Sequence, residues 1–191
     1  MLCPSINVTV MKNAILVMIL SFSGIIVYCQ SSYALNSRGF RHAERGEYEK
    51  AIGYFTRAIA ADPYFADAIY NRGLAYSKLG QYELAINDYN KAIDLRPHFK
   101  YAMNNRGADK EALKDYNGAI ADFSMSIHID STYARAYFNR GNVHLKLGEY
   151  ELAMQDYKKA LSFDEPIEEA LVNLEVARSL MQTAVVSQEK Q

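Results

Sequence analysis

Tryptophan is absent, prolines number only 4, and both cysteines, Cys3 and Cys29, fall among the first thirty of 191 residues. Whatever follows Cys29 can form no disulfide, thiolate metal site or cysteine nucleophile. Neither sign of charge is in excess. With 21 Lys and Arg against 22 Asp and Glu, the formal net charge is −1, which removes the basic balance that a nucleic-acid groove requires. His42, His98, His128 and His144 have no metal-ligand spacing, so no metal is expected. There is no phosphate loop, dinucleotide fingerprint or nucleophile elbow, and strand-type alternation is missing throughout. These absences leave no motif for an enzyme or a cofactor.

What is present is a register. Gly39, Gly73, Gly107 and Gly141 are 34 residues apart, as are Tyr48, Tyr82, Tyr116 and Tyr150, and Ala51, Ala85, Ala119 and Ala153. No insertion breaks the spacing, and a fixed period of this length marks an array of stacked units. Within a unit, apolar residues recur at intervals of three and four, as Ala85, Tyr89, Ala92 and Ile93 do, which is the helical period. Each unit is therefore expected to be a helix of about fourteen residues, a turn and a second such helix. Gly46, Gly80 and Gly148 sit where a first helix would end in a left-handed residue, and Pro63 and Pro97 where the second would stop.

The residues at fixed places carry a resemblance. In the unit Ala66 to Phe99 they are Gly73, Tyr82, Ala85, Tyr89, Ala92 and Pro97, with Gly80 at the inter-helix turn. This pattern of small and aromatic residues resembles the tetratricopeptide (TPR) family. The resemblance implies an all-α TPR solenoid, a right-handed superhelix of helix-turn-helix repeats. Its units would span residues 32–65, 66–99, 100–133 and 134–167, followed by a capping helix over 168–186 and a disordered tail at 187–191. Ala170, Leu171, Leu174, Ala177 and Met181 would form the inner face of the cap, leaving a polar outer face to solvent.

The third unit departs most. Lys110 replaces an aromatic or histidine, Lys114 the turn glycine and Ser131 the proline, while Gly118 is expected inside a helix. Each of the last three changes weakens a helix or its boundary, so this unit is expected to be a soft spot.

Arg38, Arg72, Arg106 and Arg140 recur at one position, and Asp88, Asp122 and Asp156 at another, which reads as structural ion pairing; the first unit has Tyr54 in place of the aspartate. Asn71, Asn105 and Asn139, with Ser37 in the first unit, precede the arginines. An asparagine amide both donates and accepts, and the resemblance implies a ladder of them holding a peptide backbone along the concave face. Other positions of that face carry Tyr33, Asn36, Phe40, Asp67, Tyr70, Leu74, Tyr101, Asn104, Arg135, Phe138, Asn142 and Leu145. Tyr70, Leu74, Tyr101, Arg135 and Phe138 join the three asparagines as the candidate groove contacts, because aromatics and arginine most often anchor peptides. Chaperone-binding relatives grip a C-terminal carboxylate with lysines, asparagines and an arginine. The matching positions here, Tyr70, Leu74, Asn105, Arg135 and Asn139, keep little of that set.

Ala14 to Cys29 is sixteen residues without a charge, preceded by Lys12. Because the run is shorter than the roughly 20 apolar residues of a span, residues 1–31 are expected to be a secretory signal cut before Gln30, with an uncleaved membrane anchor as the alternative. Tyr28 before Cys29 does not suit a lipidation box. The sequence thus predicts a non-enzymatic scaffold, periplasmic or secreted, or alternatively membrane-anchored, that binds a protein or peptide and no nucleic acid. The alternative of a different kind is a structural repeat protein that stacks with copies of itself.

Overall fold

The computed structural model describes residues 32–188, with side chains through residue 184. The expected signal and its cleavage point, and residues 189–191 of the expected tail, lie outside the described residues. The described part is helical with short turns: α1 over 32–44, α2 Tyr48–Ala61, α3 Ala66–Lys78, α4 Tyr82–Leu95, α5 Lys100–Ala112, α6 Tyr116–Ile129, α7 Ala134–Lys146, α8 Tyr150–Leu161 and α9 Glu169–Gln188. Each helix from α2 to α9 packs on its neighbours in the chain. The first helices of successive units, α3, α5, α7 and α9, also touch in sequence. The result is an open stack of helix pairs.

The glycine register is explained by one contact per unit. A Cβ built at Gly39, Gly73, Gly107 or Gly141 would come within 2.6, 2.8, 2.8 and 2.9 Å of the rings of Phe55, Tyr89, Phe123 and Tyr157. Those rings are fully buried or nearly so, and they fill the space that the missing side chain leaves between the two helices of a unit. The alanines at Ala51, Ala85, Ala119 and Ala153 are wholly buried in the same layer.

The turn after each first helix is the same device four times. Gly46, Gly80 and Gly148 have φ of 76°, 73° and 75°, and Lys114 takes φ 65° in the third unit. The next residue then donates its N–H to a carbonyl five residues back, as Gln81 does to Tyr76 and Asp115 to Lys110, closing a Schellman-type end.

Two of the odd residues of the third unit have compensations, and a third does not. Gly118 is not interior but third in α6, where its N–H donates to the Asp115 carboxylate at 3.0 Å; α2, α4 and α8 have no such side-chain cap. Lys110 pairs with Asp122 at 2.8 Å, whereas Lys114, alone among the described non-glycine residues, takes a left-handed φ.

The last helix ends the stack. Ala170, Leu174 and Ala177 are buried with Ile167 against Ala153, Tyr157 and Ala160 of the fourth unit. In the glycine register the next residue is Glu175, which pairs with Arg178 at 2.8 Å and stands where a second helix would have to approach. Glu168, Glu175, Arg178 and Gln182 face solvent as a polar outer face requires, but Leu171, expected on the inner face, is 55% exposed, and Leu180 is 42% exposed. Leu171 aligns with Ile69, Met103 and Tyr137, which are buried. It is uncovered because no second helix follows in the described chain.

Candidate functional site

Two polar ladders run through the stack at adjacent positions of the first helices. The inner one is structural. Arg72, Arg106 and Arg140 each grip the aspartate of their own unit with two parallel N–H donors. Nε and Nη2 of Arg72 reach Asp88 at 2.7 and 2.8 Å, Arg106 reaches Asp122 at 2.8 and 2.5 Å, and Arg140 reaches Asp156 at 2.8 Å twice. The aspartates are buried, and the paired carboxylate holds the Arg72 and Arg140 guanidiniums above their usual pKa. Bidentate geometry of this kind is what arginine supplies and lysine does not. The remaining Nη1 donates backward to the preceding unit, to Thr56 at 3.2 Å, Asn90 at 2.6 Å and Ser124 at 2.9 Å. Each arginine thus ties two units together. Arg38, with Tyr54 in place of the aspartate, is exposed.

The asparagine ladder also joins units. Asn71 Nδ2 donates to Asn36 at 3.1 Å, Asn105 to the Tyr70 hydroxyl at 2.9 Å, and Asn139 to Asn104 at 3.0 Å. Asn173 of α9 is a fourth rung that the sequence reading missed, although it lies 34 residues beyond Asn139. Its partner shifts to Asn142, at 2.9 Å, which also accepts from Tyr157, because Phe138 at the usual accepting position has no polar atom. One N–H of each rung is thereby spent inside the stack. What each half-buried amide keeps for a ligand is its second N–H and its remaining acceptor capacity. Asn104, expected to line the groove, is instead buried at 3% exposure, donating to Asn105 and accepting from Asn139.

The other candidates separate into held and open residues. Tyr70 is half-buried, tilted against Phe99 and Tyr89 with centroids 4.7 and 5.9 Å apart; burial, more than any neighbouring charge, pushes its hydroxyl up to about 12. Leu74 is half-buried against the apolar cluster of Ile69, Ala85 and Tyr89. Phe138 packs on Tyr157 at 6.1 Å. Tyr101 is 46% exposed, edge-on to Tyr133 at 5.5 Å, and Arg135 is exposed with its guanidinium 5.8 Å from the Phe138 ring. Tyr70, Asn71 and Tyr101 share a concavity of roughly 480 Å³ with Asp67, Arg96, His98, Phe99 and Lys100. Two of its charges are already matched, Arg96 with Asp67 at 3.0 Å and Lys100 with Asp130. Arg135 lies in a second concavity of roughly 540 Å³, beside Tyr133, Phe163 and Ile167.

An open stack of helix pairs with this register defines an α-solenoid of interaction repeats. Two family profiles match, "Tetratricopeptide repeat" over residues 66–99 and 134–165 and "TPR repeat" over 39–80 and 112–148. The chain belongs to the tetratricopeptide repeat family. No curated protein matches it in sequence. Among solved structures, the second TPR domain of human RPAP3 in complex with an HSP70 peptide, SGPTIEEVD, is 30% identical with a TM-score of 0.58, covering 62% of this chain and 97% of that one. The first TPR of Spaghetti (RPAP3), bound to the HSP90 peptide SRMEEVD, is 27% identical with a TM-score of 0.61, over 62% and 94%. PilF of Pseudomonas aeruginosa is 21% identical with a TM-score of 0.74, over 85% and 74%, a likeness of fold.

Proposed function

We propose that this chain is a scaffold that holds a segment of a partner protein along the face formed by α1, α3, α5, α7 and α9. The observation that carries this reading is the row of uncovered side chains on that face. Tyr33 and Phe40 of α1, Tyr101 of α5, and Val172 and Val176 of α9 are 67, 51, 46, 65 and 43% exposed, on first helices, two of which, α5 and α9, also carry the rungs Asn105 and Asn173. Apolar surface beside regularly spaced amides suits a ligand whose backbone is held by the rungs and whose apolar side chains fill the gaps. The RPAP3 domains hold HSP90 and HSP70 peptides that both end in EEVD. Here Tyr70 and Leu74 stand at positions where such a tail would need cations, which favours a ligand richer in apolar than in acidic residues.

The test uses the two open contacts that take no part in joining units. A Tyr101→Ala, Arg135→Ala double variant should lose the partner captured by the wild-type chain from its native source, while helicity and melting temperature stay unchanged. Capture at the wild-type level by this folded variant would remove the groove reading.

The uncharged run Ala14 to Cys29 supports export, with the scaffold working outside the cytoplasm or tethered to its membrane. The mass of the mature protein tests this, since an intact start would exclude cleavage. Stacking of copies is the alternative reading, supported by the uncovered Leu171 and Leu180 of α9; a size that stays constant over a range of concentrations would remove it.

A further inference from the structure

Three residues make the joint between the second and third repeats unlike the others. At the same three places of the register, the first joint has Ala43, Phe55 and Ala75, and the third has Glu111, Phe123 and Val143. In these joints Ala75 packs with Phe55 and Val143 with Phe123, in apolar contact. The second joint has Ser77, Tyr89 and Asp109. Asp109 is 3% exposed and Tyr89 wholly buried. Ser77 donates to Asp109 Oδ1 at 2.6 Å, but the second carboxylate oxygen and the Tyr89 hydroxyl have no hydrogen-bond partner. A buried ionised carboxylate with one of its oxygens unmet is costly, and the cost falls on whatever closes it in.

Among the described residues, no cation answers that charge. On the elements around α5, Arg72 is committed to Asp88 and Arg96 to Asp67. Lys100 is committed to Asp130, Arg106 and Lys110 to Asp122, and Lys146 to Glu111. His144 bonds Glu149, Tyr70 accepts from Asn105, and Lys78 is exposed.

We propose that the second joint is an acid-tightened hinge: proton uptake by Asp109 from solvent closes the contact of α5 with α3 and α4, and proton loss loosens it. The hinge lies directly behind the groove, since Tyr89 packs on Tyr70, and Tyr70 accepts from the Asn105 rung. Resting on the groove reading, the hinge makes partner capture stronger in mild acid than at neutral pH.

Burial raises the Asp109 carboxyl from its ordinary 3.8 to about 6, against a smaller lowering by Ser77. The folded-state value is the higher one, so the stabilisation is complete below the unfolded value and is lost as pH rises through about 6. Hydrogen exchange of the full chain without any partner, corrected for the intrinsic rate, tests this. The opening constant for amides of α3 to α5 should rise about tenfold from roughly pH 5 to roughly pH 7.5, with α7 and α8 unaffected. Asp109→Asn should remove the dependence, and Asp109→Val, which copies Val143, should do the same with a tight joint at all pH. A flat wild-type profile, or an unchanged rise in Asp109→Asn, would overturn the hinge. Because no ligand is involved, that failure is separate from failure of the groove, which the capture experiment reads alone.

Discussion

At the scale of single residues, the glycine under each ring is the most constrained choice in the chain. Gly73→Ala would bring a methyl within 2.8 Å of the Tyr89 ring, which is itself wholly buried and cannot swing away. Overpacking of this kind costs about 1–3 kcal/mol, so a denaturant titration of Gly73→Ala should show a clear loss of stability, despite alanine's better helix propensity. This much was legible in the sequence, because a small residue recurring at a fixed interval beside a recurring aromatic has few other physical meanings. The arginine and aspartate pairs were legible for the same reason. The third arm of each arginine was not: Thr56, Asn90 and Ser124 share an acceptor oxygen and little else. Asp109 escaped notice because Ala75 and Val143, its counterparts in the register, gave no hint that a carboxylate there would be buried.

At the scale of helices, the third repeat illustrates how local rules interact. Read one residue at a time, its missing turn glycine and its extra Gly118 predict weakness. In the folded chain, the Asp115 carboxylate takes the Gly118 N–H, and an added Cβ at Gly118 would sit 2.1 Å from that carboxylate. The glycine and the cap belong together. Asp115→Ala should therefore cost about 1 kcal/mol and raise hydrogen exchange in the first turn of α6 more than elsewhere; equal protection before and after would show that the cap is idle. The capping helix shows the opposite limit of sequence reading. Its periodicity correctly marked Ala170, Leu174 and Ala177 as inward, but Leu171 looked equally apolar, and only the absence of a covering helix in the described chain exposes it. Asn173 was within reach of the 34-residue register, and treating α9 as an isolated helix hid it.

At the scale of the whole molecule, the side-chain ties described above each join a unit to itself or to the next. Stability in such an array is nearly a sum of units and joints. Leu174→Ala, which removes a side chain that is 6% exposed at the final joint, should cost about 3 kcal/mol. Hydrogen exchange should register the loss in α8 and α9 while α2 and α3 keep their protection. Uniform loss across the chain would mean that the stack unfolds as one block. The same one-dimensional logic extends to Glu175. A second helix laid against α9 as in the earlier units would meet the Glu175 side chain where those units present a bare glycine, so covering Leu171 in that way calls for a different helix spacing.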